Sequence, residues 1–363
     1  MPLSQFSPDN YSTLLDEKVG ATQQLFTSIA MPAAEVFPSQ AQNFRMRTEF
    51  KVWHEGDDLF YVMFNPAAPK VPVRVDSFPI AGAAINKLMP QLIAKLKTTP
   101  LLRHRLFQVE FLSTLAGDML VTLIYHRQLD EEWVDAATEL KREFGINLIG
   151  RARKMKICLD QDFVIEKLPL KAGEFEYKQV EGGFTQPNAR MNCNMINWAM
   201  QATHGNSGDL LELYCGNGNF TIPLSRQFNK VLATEISKTS VNSAQYNIAV
   251  NHVDNLDIVR MSSEELTQAL NNEREFRRLR DINLNDYNFS TVFVDPPRSG
   301  LDPGTEKLVQ RFDNIVYVSC NPHTLADNLE RIKQTHEVVK LAFFDQFPYT
   351  HHMETGVYLK KRR

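Results

Sequence analysis

The sequence predicts an α/β protein in two lobes: an N-terminal α+β lobe and a C-terminal domain built on a mostly parallel sheet. Three observations lead there. At 363 residues the chain is too long for one domain of ~100–200 residues. From about residue 190 apolar strands alternate strictly with helices, whereas earlier segments mix the two unevenly. The change of pattern places the domains at 1–180 and 181–363.

In chain order, residues 11–29 carry apolar positions at helical spacing and open the first lobe with a helix. RMRTEFKVWHEGDDLFYVMFN (45–65) alternates apolar and polar residues on both sides of an Asp-bearing turn, as a hairpin does. A helix near 80–97, strands near 106–112 and 118–126, a helix near 130–144 and a short strand near 146–150 follow. In the second lobe the strands are DLLELYC (209–215), KVLATEI (230–236), LDIVRM (256–261), STVFVDPP (290–297), IVYVSC (315–320) and VVKLAFF (338–344). Such continuous apolar strands separated by helices mean a parallel sheet covered on both faces. GVYLK (356–360) is expected to close the sheet edge, and the polar stretch 271–289 to be a surface insertion.

With 43% hydrophobic and 23% charged residues the chain has the make-up of a folded protein, which excludes disorder and collagen-like structure as the whole answer. No apolar run approaches the ~18 residues of a spanning helix. The first thirty residues hold Asp9, Asp16, Glu17 and Lys18 where a signal peptide needs a basic and then apolar stretch, so a cytoplasmic protein with no membrane partner is expected. A net charge of −3 argues against indiscriminate coating of polyanions. Basic residues still cluster at Lys95, Lys97, Arg103 and Arg105, at Arg151, Arg153, Lys154 and Lys156, and at Lys360, Lys361, Arg362 and Arg363. The four cysteines, at 158, 193, 215 and 320, have neither CxxC nor zinc or iron–sulfur spacing, which predicts free thiols, no metal and no cluster.

LLELYCGNGNFT (210–221) places Gly216 and Gly218 between a strand and a helix, where backbone passes close to a nucleotide-like ligand. Glu235 ends the next strand, 17 residues after Gly218, positioned to accept hydrogen bonds from ribose hydroxyls. NAD and S-adenosylmethionine sites share this logic, but Thr221 stands where the dinucleotide fingerprint needs its third glycine. VFVDPPRSGLD (292–302) puts Asp295 at the carboxyl end of a buried strand with two stiffening prolines. Arg298 follows where methyltransferases acting on amines carry an aromatic residue. IVYVSCNPHTL (315–325) ends the neighbouring strand with Cys320, and a helix starting near Pro322 together with Arg298 would favour its thiolate. FDQFPYTHHMETG (344–356) carries Glu354 in a loop; His351 and His352 lie beside it but have no third ligand in sight.

A thiol and a carboxylate beside a methyl-donor site specify a reaction that an oxidoreductase has no use for. C5 of uracil is too weak a carbon nucleophile to be methylated unaided. A thiolate adding at C6 makes an enolate with electron density on C5, and a base must then remove the C5 proton. Cys320 and Glu354 fit these two roles.

The motifs FTQPN (184–188), ELYCGNGNF (212–220), ATEI (233–236), FVDPPRSGLD (293–302), SCNP (319–322), LFQVEFL (106–112) and FDQFPYTHHMETG (344–356) resemble those of the bacterial tRNA (uracil-5-)-methyltransferases, within the RNA 5-methyluridine methyltransferase family. The resemblance covers essentially the whole chain. It implies a Rossmann-like class I S-adenosylmethionine-dependent methyltransferase domain behind an RNA-binding lobe. It further implies methylation of the uridine at position 54 in the tRNA T-loop, with Cys320 as nucleophile and Glu354 as base. The T-loop of tmRNA is a further candidate substrate, and a uridine in another structured RNA such as rRNA is the alternative. S-adenosylmethionine would be contacted by Gln186, Tyr214, Asn219, Glu235 and Asp295. Relatives acting on rRNA carry an OB-like domain and a cysteine quartet for an iron–sulfur cluster, and this sequence has neither. The expected partner is the tRNA T-arm, with no obligate protein partner. Phe107 is expected to stack on loop bases, and Arg103, Arg105, Arg151, Arg153 and Lys154 to hold phosphates. Arg298 is left between the flipped uracil and a phosphate.

Overall fold

In the computed structural model, which describes residues 6–65 and 68–363, helix α1 (Tyr11–Gln24) and the short strand β1 (Ala34–Phe37) come first. There follow β2 (Arg47–Glu55), β3 (Asp58–Asn65), β4 (Ala68–Arg74), α2 (Ala83–Thr98), α3 (Pro100–Arg103), β5 (Leu106–Ser113), β6 (Met119–Tyr125), α4 (Glu131–Phe144), β7 (Asn147–Ala152) and β8 (Met155–Cys158). Strands β2 to β8 form one sheet in the order β4-β3-β2-β5-β6-β7-β8. Its only parallel pair is β6 with β7, because α4 crosses over between them. Helix α4 starts where Asp130 accepts the Trp133 amide and stops at Gly145 in the left-handed region, φ 61°. It buries Trp133 against Gly150 of β7, where any Cβ would collide with the indole.

A hairpin of β9 (Phe163–Leu170) and β10 (Gly173–Val180) leads to α5 (Ala189–Thr203). The alternation then runs β11 (Asp209–Leu213), α6 (Thr221–Ser225), β12 (Val231–Glu235), α7 (Lys238–Val250), β13 (Leu256–Arg260), α8 (Ser263–Leu270) and β14 (Phe289–Val294). It ends with α9 (Pro303–Val309), β15 (Asn314–Ser319), α10 (Pro322–Ile332), β16 (His336–Phe344) and β17 (Glu354–Lys361). The eight-stranded sheet has the order β1-β16-β17-β15-β14-β11-β12-β13, and β17 alone is antiparallel to its neighbours. Its strands are apolar and buried on both faces, as Leu211, Val292, Ile315 and Leu359 illustrate.

One expectation is corrected. The last strand does not close an edge: β17 lies between β15 and β16, bonded on both sides, and its buried residues Val357 and Leu359 suit an interior slot. The edge is β1, paired with β16 through Ala34 and Leu341. By contacts the chain packs as two units, residues 40–167 with 178–189, and residues 9–39 with 168–177 and 190–363. Residues 9–39 join the second unit because β1 extends its sheet and Leu15, Phe26 and Ile29 enter its core. The segment 271–289 is largely exposed, as expected of a surface insertion, and is anchored by Phe276, which is buried, and Leu279, which packs on that core.

Candidate active site

The glycine loop leaves β11 through a run of left-handed residues: Tyr214 at φ 62°, Gly216 at 57° and Gly218 at 85°. Glycine takes that region without steric cost. A Cβ at Gly218 would meet Ile222 Cδ1 at 3.0 Å, whereas one at Gly216 would meet nothing, which leaves room for a ligand over that residue. Glu235, the last residue of β12, organises the loop: its Oε2 accepts the Gly216 amide at 3.0 Å and its Oε1 the Ser237 amide at 2.7 Å. A carboxylate offers about four acceptor positions, so capacity for two ribose hydroxyls remains. Asn219 forms a reciprocal amide pair with Asn192, at 2.7 and 2.9 Å, and its carbonyl accepts the Tyr177 hydroxyl at 3.0 Å. Tyr214 is tethered by its hydroxyl, 3.0 Å from Ser263 Oγ, which in turn lies 3.0 Å from Thr305 Oγ1. Asn192 and Ser263 escaped the sequence reading because polar residues within apolar helices carry no motif.

Asp295 follows β14, and the turn after it is joined to the one after β15. Asn321 Nδ2 and Thr324 Oγ1 both donate to the Arg298 carbonyl, at 3.0 and 3.3 Å. Gly300, at φ 74°, is obligatory there: a Cβ would sit 2.7 Å from Asn328 Oδ1 and 3.1 Å from Thr324 Cβ. On the other side β15 and β17 pair antiparallel as far as Ser319 opposite Thr355, so Cys320 and Glu354 each adjoin the last pair of this ladder and interact electrostatically. Glu354 is also the partner of Phe344 at the end of β16. A thiol, two carboxyls and Arg298 thus converge at the carboxyl edge of the parallel strands.

Electrostatics bind this group together. Burial, reinforced by Asp295, pushes Glu354 up to about 8, against the pull of Arg298 and Lys18. Burial likewise raises Asp295, which keeps a partly exposed side chain in the cleft, to about 7. The Cys320 thiol is raised to about 11, by burial first and then by Glu354 and Asp295. Arg298 favours the thiolate, as expected, and a helix does start at Pro322, but burial and the two carboxyls hold the thiol up in the free protein.

Gln186 belongs to the first unit, as do the residues expected to hold RNA. There Phe107 is half-buried rather than core, stacked on exposed His126 with centroids 4.1 Å apart and with Lys51 Nζ 3.9 Å above its ring. Arg105, Arg153 and Lys154 are exposed. Arg151 is instead engaged by Glu181 through two 2.6 Å hydrogen bonds, and Arg103 donates to the Gly56 carbonyl at 2.5 Å. Among the described residues no three His, Cys, Asp or Glu side chains group as a metal site, and no helix is long and apolar enough to cross a membrane.

Residues 10–362 match the family described as tRNA (Uracil-5-)-methyltransferase. The chain is 54% identical over 369 residues to a tRNA/tmRNA (uracil-C(5))-methyltransferase of Aliivibrio fischeri (strain MJ11), covering 100% of both chains. It is 55% identical over 359 residues to the protein of the same description from Cellvibrio japonicus, covering 99% of this chain and 98% of the other. Its fold is shared with the Pyrococcus abyssi tRNA (uracil-54, C5)-methyltransferase crystallised with S-adenosyl-L-homocysteine: the TM-score is 0.72 at 21% identity, over 96% of this chain and 83% of that one. With nearly every residue inside the match, the chain belongs to the tRNA (uracil-5-)-methyltransferase family.

Proposed function

We propose that the protein methylates C5 of the T-loop uridine of tRNA, position 54, and the T-loop of tmRNA, through a covalent adduct between Cys320 and uracil C6. The observation that supports this most is that Cys320 and Glu354 flank the last β15–β17 pair, Ser319 with Thr355, and interact with each other and with Asp295. S-adenosylmethionine supplies the electrophilic methyl group. Glu235, with acceptor capacity to spare, takes the ribose, while Asp295, Tyr214 and Asn219 complete the cofactor contacts of the second unit. The uracil leaves its stack at a cost of a few kcal/mol. Cys320 sulfur bonds to C6 as its thiol proton passes to solvent, the C5–C6 π pair moves onto C5 and takes the methyl group, and S-adenosylhomocysteine leaves with the electron pair of the broken S–CH3 bond. Glu354 then takes the C5 proton, the C–H electron pair re-forms the C5–C6 double bond, and the C6–S pair returns to Cys320. A base that ionises near 8 makes this elimination faster as pH rises toward that value. In the first unit, Phe107 with His126 offers a stacking platform, and Arg105, Arg153 and Lys154 face phosphates. The reaction places the protein in the cytoplasm with its RNA.

Incubation with S-adenosylmethionine and unmodified tRNA, followed by nucleoside analysis, should yield 5-methyluridine. Cys320→Ala should abolish it while still binding the cofactor, and Glu354→Gln should accumulate methylated RNA–protein adduct on denaturing gels. A Glu354→Gln enzyme that turns over without adduct would remove Glu354 from the mechanism. Arg105→Ala and Arg153→Ala should each lower the salt slope of tRNA binding by about one. Arg151→Ala, its guanidinium committed to Glu181, should change that slope less.

A further inference from the structure

Helix α1 lies outside the strand–helix alternation, yet it clamps the loop that delivers Glu354. Tyr11 and Lys18, seven residues apart and so on one helix face, both reach Asp345, the first residue after β16. The Tyr11 hydroxyl donates to Asp345 Oδ2 at 2.8 Å and accepts the Ser39 amide at 2.7 Å. Its ring meets Tyr349 edge-on at 5.9 Å. Lys18 Nζ lies 2.5 Å from Asp345 Oδ1 and donates to the Phe347 carbonyl at 3.1 Å. Both members of this ion pair are buried, with side chains 8% and 2% exposed. A buried pair of this kind adds little net stability compared with apolar packing, so its presence beside the site calls for another role. Phe344, immediately before Asp345, is the register partner of Glu354.

We propose that Lys18 is a positioning residue for the base: held by Asp345 and the Phe347 carbonyl, its buried ammonium stabilises the anionic, proton-accepting form of Glu354 during elimination. This rests on Glu354 being the base. The charged and titratable groups that act on Glu354 come from several elements: Asp295 and Arg298 after β14, Cys320 after β15 and Lys18 from α1, which is itself paired with Asp345 after β16 and acts on His352 as Arg298 does. Asp295 opposes the anion, and Arg298 and Lys18 favour it. Of these two cations, Arg298 is exposed and Lys18 is buried.

The test is the decay of the methylated RNA–protein adduct in single turnovers, followed from neutral to alkaline pH. In Lys18→Met the midpoint of the pH profile should move up by roughly one unit, so that elimination is about tenfold slower at neutral pH and recovers in alkali. Adduct formation should be unchanged, and Lys18→Arg should restore the profile. A purely structural lysine would lower the rate equally at all pH values, and that result, or an unmoved midpoint, overturns the proposal. If Lys18→Met does not fold, Lys18→Gln, whose amide still donates to Asp345, makes the same measurement. Glu354→Gln run alongside separates the two possible failures. If it traps the adduct while the Lys18 profiles stay in place, only the Lys18 proposal fails. If it turns over freely, the base assignment fails and this proposal with it.

Discussion

Cys320 should be a slow nucleophile in the free enzyme. With its thiol raised to about 11, roughly one molecule in three thousand carries the thiolate at pH ~7.5, against about one in ten for an ordinary cysteine. Asp295, near 7, and Glu354, near 8, both ionise before the thiol does, so two anions oppose its deprotonation when it comes. Alkylation by iodoacetamide, followed by peptide mass spectrometry, reads this directly, with exposed Cys158 as an internal control and buried Cys193 and Cys215 as protected sites. The Cys320 rate should climb about tenfold per pH unit well into the alkaline range. Glu354→Gln should speed it at fixed pH, since Glu354 is the larger of the two charge effects. A rate that levels off below pH ~9, or one exceeding that of Cys158 at neutral pH, would refute the reasoning. If the slow rate is observed, the thiol proton must leave only within the RNA complex, as the sulfur approaches C6.

Three further outcomes follow from the packing. Gly300→Ala adds left-handed strain and a 2.7 Å contact with Asn328 Oδ1, so the urea midpoint should report a loss of about 2–4 kcal/mol; a loss under about 1 would mean the turn yields freely. Asn192→Ala breaks the amide pair that holds Asn219 and should weaken S-adenosylmethionine binding about five- to tenfold by calorimetry while sparing tRNA binding; equal cofactor affinity would contradict it. Glu166 is buried and raised to about 7, and one of its oxygens accepts the Leu115 and Lys167 amides. Its folded value exceeds the unfolded one, so its contribution is fully present below about 4.5 and is lost as pH rises through about 7. Glu166→Gln should flatten that decline by up to about 3 kcal/mol in denaturant titrations, and an unaltered pH dependence would rule the residue out.

The second unit was legible in the sequence wherever burial is two-sided. Runs such as LLEL, VFV and IVYV can only be interior strands, and the parallel register of β11, β12, β14 and β15 follows from the helices between them. The glycine loop was legible because left-handed turns need Gly216 and Gly218. Strand β8 of the first unit, and β9 and β10, which cross between the two units, were missed because they are short or alternate charged residues through a half-exposed face.

By itself the sequence determined which chemistry the chain holds: a glycine loop, Asp295 and Cys320 at the ends of their strands, and Glu354, which it put in a loop and the structure makes the first residue of β17. Tertiary structure alone decided how those groups behave. It inserted β17 between β15 and β16 and so brought Glu354 near Cys320, it drew residues 9–39 into the second unit with β1 in its sheet, and it buried Lys18 against Asp345. It also removed Arg151 from the free basic residues by pairing it with Glu181. Local propensity acts over a few residues, whereas strand order, desolvation and charge pairing depend on groups brought together from hundreds of positions away, and no window of sequence contains them.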